Sequence, residues 1–422
     1  MSRISTPVGN VYLSRARPLT LFDVARRTIL LLILIRASLD NLLNAIESAV
    51  GVPIGALLNV TVIASAIVIF SANPDRRRLN LGIFWPLLFL VCAASIAYTP
   101  DKIAAFRFLA VLATFCALFI VPAVLVRHER DVVPILKVIL LSSIAPILVG
   151  FANFGAERAQ STFPHPNILA FYLASIIITI ALVWLSKLFT LNMSERALLV
   201  CLSGLCGILL VLTQTRAAWV ALALTFGVIA VLYDRRLLLG VLAMPLLLLV
   251  PQIQERFLDL KETTEYIGEG MIANSYEWRL MLWESAFTWI KRDPIFGYGL
   301  FSFQMYSPKF FHWDMNGFNA HSVYVQLLFE TGIFGLVFFV MIFATVAFTA
   351  FRCWRNAPEA AAFIFALCVF YLTICYSDNI MFYLSFNWYF WLLLGTLRAW
   401  LLLPKNPQHQ GIAGLAIPPA RS

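Results

Sequence analysis

"HSVYVQLLFETGIFGLVFFVMIFATVAFTA" occupies residues 321–350. A histidine, His321, opens the stretch and one carboxylate, Glu330, stands inside it. The remainder is long and apolar enough to span a bilayer as a helix. Ionisable groups near lipid are costly, so His321 calls for a reason. Similar runs recur at roughly 29–48, 52–71, 81–98, 104–126, 132–152, 168–186, 197–213, 217–233, 237–251, 360–376 and 382–402, about twelve in all with the first. The chain of 422 residues is 61% hydrophobic and only 13% charged. Its mean hydropathy is +0.84. No soluble domain buries that share of apolar side chain. Lipid satisfies no backbone hydrogen bonds, so open sheets are excluded. The expected class is an all-α polytopic membrane protein.

The loops order these spans. "SRARPLTLFDVARR", "PDRRR", "RHER", "SKLFTLNMSER", "YDRR", "FRCWR" and the C-terminal tail alternate to one side, and all are basic or mixed. "TPDK", "FANFGAERAQSTFPHPN", "TQTR" and "YSDN" fall on the other, with one long segment. The positive-inside rule then places both termini in the cytoplasm. It also accounts for the net charge of +9 without nucleic acid. The expected organisation is a cytoplasmic segment 1–28, spans 1–9 over 29–251, an outer loop 252–320, spans 10–12 over 321–403, and a cytoplasmic tail 404–422. The first run lacks a small-residue cleavage site and reads as an uncleaved helix. Arg36 and Asp40 inside it sit at i,i+4 and should neutralise each other. The seven cysteines form no CxxC pair, and neither disulfides nor zinc are inferred.

The long segment is rich in tryptophan and phenylalanine. "NSYEWRLMLWESAFTWIKRDP" (274–294) predicts a helix capped at Asn274 or Ser275, with Lys291 and Arg292 in its last turn and Pro294 as the stop. Two stripes, Trp278/Met281/Leu282/Ser285/Trp289 and Arg279/Trp283/Ala286/Ile290, suit it to lie on the membrane or to plug a cavity. "PIFGYGLFSF" follows as a Gly-punctuated turn. The acidic run "ERFLDLKETTEYIGE" (255–269) matches no calcium loop and reads as a solvated charged face.

Cations stand close to helix ends on the outer face: Arg158 and His165, Arg216, and Arg279. A guanidinium there suits a phosphate or diphosphate at headgroup depth, because its planar fork grips two oxygens and stays charged. A single arginine also serves as a headgroup anchor. Three on the face where positive charge is not the norm favour the oxyanion. His321 has a neutral form near pH 7 and can take a proton from a hydroxyl. It also reads as a ring hydrogen-bonded at a helix start. Glu330, nine positions on, lies on the opposite helix face and should bond to another helix or to backbone near Gly332. In "PHPN", Pro166 and Asn167 stop a loop and start a helix. No P-loop, GxGxxG, HExxH or GxSxG occurs, and no metal or cofactor is expected.

In order, "RAQSTFPHPN" (158–167), "TQTRAAW" (213–219), "WRLMLW" (278–283), "DPIFGYGLFSF" (293–303) and "NAHSVYVQLLFETGIFGL" (319–336) resemble the O-antigen ligase and polymerase (Wzy-C) superfamily, above all its exopolysaccharide-polymerase branch. Members show HN where this chain has His321-Ser322. The resemblance implies a GT-C-like membrane fold and an inverting, metal-independent glycosyltransferase in a bacterial inner membrane. The implied donor is a glycan on undecaprenyl diphosphate, presented in the periplasm to a glycan acceptor. Chain-length regulators and export proteins are the implied partners. On that reading His321 activates or positions the acceptor hydroxyl, and Arg216 and Arg279 hold the diphosphate. Arg158 and His165 orient donor or acceptor. A ligase that transfers finished glycan to lipid A core shares these motifs. A transporter or flippase would instead show broken helices and polar residues at mid-membrane. A scaffold would not need the arginines.

Overall fold

The computed structural model describes residues 19–51, 54–72, 82–153, 155, 158–243, 254, 265–267, 270–272, 275–311 and 317–404. Among the described residues fifteen helices of seven or more residues follow one another: α1 Leu21–Val50, α2 Ile54–Ser71, α3 Phe84–Ser95, α4 Lys102–Leu125, α5 Val132–Leu141, α6 Ile144–Ala152, α7 Pro166–Leu185, α8 Met193–Leu212, α9 Arg216–Leu232, α10 Leu237–Ala243, α11 Ser275–Ile290, α12 Phe303–Phe310, α13 Val323–Arg352, α14 Pro358–Ser377 and α15 Leu384–Leu401. One antiparallel hairpin, Glu265–Ile267 with Gly270–Ile272, is the strand content among the described residues. The tail after Pro404, most of the acidic run, Trp313 and the cap candidate Asn274 lie outside the described residues.

Among the described residues eight helical stretches are long and apolar enough to cross a membrane. The apolar helices α3 and α9 are shorter. Helix occupies each expected span; at 237–251 it covers Leu237–Ala243, and 244–251 lie outside the described residues. Ends are set by local chemistry. Thr20 and Asp23 cap α1 reciprocally, Asn192 and Glu195 do the same for α8, and the Asp101 carboxylate accepts from Ala104 N at α4.

The bundle has an inner and an outer set of helices. About the inner pillar, α15, stand α4, α7 and α14, whose spanning windows are 72, 78 and 67% buried, against 28 and 22% for α2 and α8. An apolar face left open on a membrane helix meets lipid rather than a core. The inner helices approach closely where side chains are small: a Cβ at Gly395 of α15 would lie 2.2 Å from the Phe119 carbonyl of α4. Arg36 and Asp40 meet at 2.6 Å as the i,i+4 spacing predicts, and Ser385 donates to the same carboxylate at 2.5 Å.

The stretch 321–350 is not the single straight span expected. Tyr324 donates to the Leu372 carbonyl at 2.6 Å, while farther along Phe343 stacks on Tyr371 with ring centroids 5.2 Å apart. In a straight helix residues 324 and 343 would stand about 28 Å apart. Their partners are adjacent in the chain. The helix therefore turns sharply at Gly332, where φ is 65° and ψ −165°. The loop 293–303 fills the break. Ile333 N donates to Pro294 O, Tyr298 N to Phe329 O and Gly299 N to Glu330 O, each at 2.9 Å. A Cβ at Gly332 would fall 2.0 Å from the Ile295 carbonyl oxygen, so only glycine fits.

The five segments that charge alternation assigns to one face do meet at one end. Thr99 bonds to Leu300, Arg158 to Thr213, Asn167 to Asp378, and Ser322 to Cys375.

Candidate functional site

One wall of the site is built by α7, α9 and the turn after α14. His165 caps α7, its Nδ1 accepting from Asn167 N at 3.1 Å, with Pro166 at the first helical position. Asn167 does more than start the helix. Its Oδ1 accepts from Arg158 Nη2 at 2.8 Å and from Thr215 Oγ1 at 3.2 Å, and its Nδ2 donates to Asp378 Oδ2 at 2.5 Å. Arg158 also donates from Nε to the Thr213 carbonyl at 2.8 Å and from Nη2 to Thr215 Oγ1 at 3.1 Å. Asp378, 2% exposed, accepts on Oδ1 from Tyr383 OH at 2.7 Å and from Asn379 N at 2.9 Å. Arg216 opens α9 directly after Thr215, so its backbone adjoins this wall, and its side chain is half-buried.

The facing wall comes from α11 and the start of α13. His321 has φ 50°, a left-handed conformation that is uncommon outside glycine. Ala320 before it is held at both ends: its N–H donates to Gln326 Oε1 at 2.9 Å, and its carbonyl accepts from Trp283 Nε1 at 2.6 Å. Gln326 Oε1 also accepts from Asn379 Nδ2 at 2.8 Å, and its amide donates to Glu330. The amide orientation is thereby fixed. The imidazole of His321 stands edge-on to Trp278, centroids 5.6 Å apart, and makes no hydrogen bond among the described residues. The hydrogen-bonded-ring reading of that histidine is thus not what the fold shows. Arg279, one turn before Trp283, is half-buried and has neither a hydrogen bond nor an ion pair among the described residues.

The two walls share one electrostatic neighbourhood. Burial holds the His321 imidazole below the ordinary histidine value; the Asp378 carboxylate pulls it up, and Arg279 and His165 push it down. His165 is lowered in the same way, by burial first, against Asp378 and with Arg158 and Arg279. Both rings are therefore neutral near pH 7.

Backbone strain gathers here too. The four non-glycine residues with positive φ among the described residues are Ser161, Gln214, Phe301 and His321. Each lies in one of the loops that carry a quoted motif. Such positions cost on the order of 1 kcal/mol or more each, and persist where surrounding contacts over-determine them.

Of the residues singled out from sequence, Arg158, His165, Arg279 and His321 come together, with Arg216 at their edge. Glu330 bonds as expected to a neighbouring segment, accepting from Phe303 N at 3.3 Å, and holds the loop that fills the Gly332 break. The α11 stripes both turn inward, Leu282, Trp283, Ala286 and Ile290 being buried against Val325 and Phe329 of α13. One face of the helix thus packs on α13, while Leu280, Glu284 and Phe287 on the other stay exposed. The sequence reading passed over Asp378, Asn379, Tyr383, Thr215 and Gln326. One signal was present: "YSDN" ends an apolar helix with a carboxylate, as conspicuous there as an arginine. All seven cysteines are free. Among the described residues no three of His, Cys, Asp and Glu are placed to hold a metal ion.

Fold and site together define a polytopic helical membrane protein with a cationic, histidine-bearing site at one end of its bundle. Residues 197–340 match the Wzy_C family model, described as O-antigen ligase. That match covers about a third of the chain and supports a place in the O-antigen ligase/polymerase superfamily, whose members are glycosyltransferase-like enzymes acting on lipid-linked glycans. No curated protein matches the sequence significantly. The matched segment contains Arg216, Arg279 and His321, whereas Arg158, His165 and Asp378 lie outside it.

Proposed function

We propose that the protein is an inverting, metal-independent glycosyltransferase of GT-C-like type that polymerises undecaprenyl-diphosphate-linked repeats into exopolysaccharide or O-antigen at the periplasmic face of a bacterial inner membrane. The observation that supports it most is the proximity of a half-buried guanidinium, Arg279, which makes no hydrogen bond or ion pair among the described residues, to the neutral ring of His321. An oxyanion is the natural partner of the first, and a hydroxyl proton suits the second. In the step proposed, the acceptor hydroxyl gives its proton to His321 as its oxygen attacks the anomeric carbon. The bond from that carbon to the diphosphate oxygen breaks on the opposite face, so configuration inverts. Polyprenyl diphosphate leaves with the electron pair, its charge met by Arg279 and Arg216. His165, its Nδ1 accepting from Asn167 N, offers a neutral Nε2–H donor. Arg158 has its fork occupied by Thr213, Asn167 and Thr215, so its role is to fix the wall that carries Asp378.

The matched family's description as O-antigen ligase favours a second reading, in which the acceptor is lipid A core. The break in α13 is the one feature shared with a transporter, but backbone of the loop 293–303 fills it.

The lipid-linked sugars of a deletion strain decide between these readings. Accumulated single repeats support the polymerase, accumulated full chains the ligase, and an unchanged profile overturns both. For the topology, a cysteine at exposed Thr288 should react with an impermeant thiol reagent in intact cells, and one at exposed Glu195 should not. Equal labelling would remove the periplasmic placement.

A further inference from the structure

One face of α11 looks at the site. Tyr276, Arg279 and Trp283 stand at i, i+3 and i+7, so they form a single row. Across from them α14 ends with Tyr376, two residues before Asp378. The hydroxyls of Tyr276 and Tyr376 are 3.4 Å apart, and the Tyr376 ring meets Trp283 at 5.4 Å. Beside this row Trp278 packs edge-to-face on both His321 and Phe318. These rings are not hidden: Tyr276 and Phe318 are each 38% exposed and Tyr376 is 48% exposed.

Exposed aromatics on a membrane protein often form a belt at the lipid interface. The arrangement here differs. A belt residue stands on the outer circumference, as Trp184 does beneath Arg196, 45% exposed. The present rings come from three segments, α11, the loop before α13 and the end of α14, that converge on the site. Trp283 spends its N–H inward on Ala320, and Trp278 touches the histidine. A pyranose has the complementary surface. Its C–H bonds are polarised by neighbouring oxygens and group on one face, where the electron-rich face of an aromatic ring attracts them. Its hydroxyls project from the edge, within reach of tyrosine O–H groups. In a lipid-linked glycan, diphosphate and sugar are neighbours, as Arg279 and this rim are.

We propose that Tyr276, Trp278, Phe318 and Tyr376 form a sugar subsite that seats a pyranose ring of the glycan substrate beside His321. The subsite deepens the proposed function and rests on it. The ring it seats is either the donor's first sugar or the acceptor's terminal one, and the measurement separates them.

Full-length protein in nanodiscs is tested against three probes. They are undecaprenyl diphosphate without sugar, lipid-linked repeat extracted from cells lacking the protein, and the free oligosaccharide released from that repeat by mild acid. Tyr376→Ala and Tyr276→Ala should each weaken a sugar-bearing probe by about three- to tenfold, the range of one aromatic contact. Affinity for the sugar-free lipid should be unchanged. Tyr276→Phe keeps the ring and should keep most of the affinity. Weakening confined to the lipid-linked repeat assigns the subsite to the donor, and weakening of the free oligosaccharide assigns it to the acceptor. Unchanged affinity for every probe in the double alanine variant overturns the subsite. So does an equal loss for sugar-free lipid, which marks a lipid belt or a folding defect that a sizing column will show. A wild-type protein that prefers the sugar-bearing lipid yet transfers no sugar would sink the polymerase and ligase readings while leaving the subsite standing.

Discussion

The two walls of the site are built on opposite terms. On the α7/α9/α14 wall the polar groups answer one another: Arg158 meets Thr213, Asn167 and Thr215, and Asp378 meets Asn167, Tyr383 and Asn379. On the α11/α13 wall the backbone is tied down but the functional side chains are not. Ala320 is held at both ends, while Arg279 has no ion-pair partner among the described residues and His321 rests on Trp278. A saturated network fixes geometry; an unsaturated cation or ring is available to a ligand. Guanidiniums that look alike in sequence thus divide into one whose fork is engaged by the fold and one without a bond among the described residues.

That division can be broken experimentally. The largest effect is expected from Arg279→Lys, which keeps charge but loses the fork. It should lower kcat/KM about a hundredfold or more with abundance and melting temperature unchanged. Full activity would make Arg279 a headgroup anchor.

Next comes Gln326→Leu, which strips the acceptor from Ala320 N–H and Asn379 at nearly constant volume. A released His321 backbone should cost about tenfold in kcat, with donor affinity held by the arginines. A rise in KM at constant kcat would contradict the positioning argument.

Asp378→Asn should cost about 1–3 kcal/mol of stability, because a charged acceptor for Tyr383 and Asn379 becomes neutral. It should also move the pH profile in a defined sense. Burial lowers the His165 and His321 values and Asp378 opposes that lowering, so removing the charge lowers both further. In the wild type the acid limb of activity should fall below the ordinary histidine value, about 6.5, and in the variant lower still. As pH drops through that limb the rings charge and the fold loses stability, since the folded state disfavours imidazolium. An upward shift in the variant would refute the arrangement.

The smallest effect belongs to Arg158→Lys. One or two of its bonds to Thr213, Asn167 and Thr215 survive, so activity should fall only about threefold while the melting temperature drops by a few degrees. A hundredfold loss at full stability would erase the contrast between the walls.

Local features carried through from sequence. Charge alternation grouped "TPDK", "TQTR" and "YSDN" on one face, because insertion acts on each loop by itself. The Arg36–Asp40 pair and the α11 helix were legible for the same reason, since i,i+4 spacing and helical periodicity are short-range, although the helix ends at Ile290, before Lys291 and Arg292. The Asn167–Asp378 bond was not, since it joins positions 211 residues apart and each reads locally as a cap or a helix end. The break in α13 was hidden by its apolar surroundings. Glycine is common in membrane helices, so Gly332 announces nothing until the loop 293–303 lands on it. The inward-facing stripes of α11 were visible, but a hydrophobic face does not say whether lipid or protein will cover it.

The Gly332 break bears on how the protein sits in bilayers of different thickness. Below it, Ile333–Arg352 measures about 30 Å, enough to match a hydrocarbon core alone. The short limb from Val323 to Thr331 is anchored sideways to α14 and to α11. When a membrane thins or thickens, a continuous helix answers by tilting along its whole length and would carry His321 with it. Here Gly332 interrupts that line, and His321 is positioned by the short limb's own bonds to α14 rather than by the axis of the lower limb.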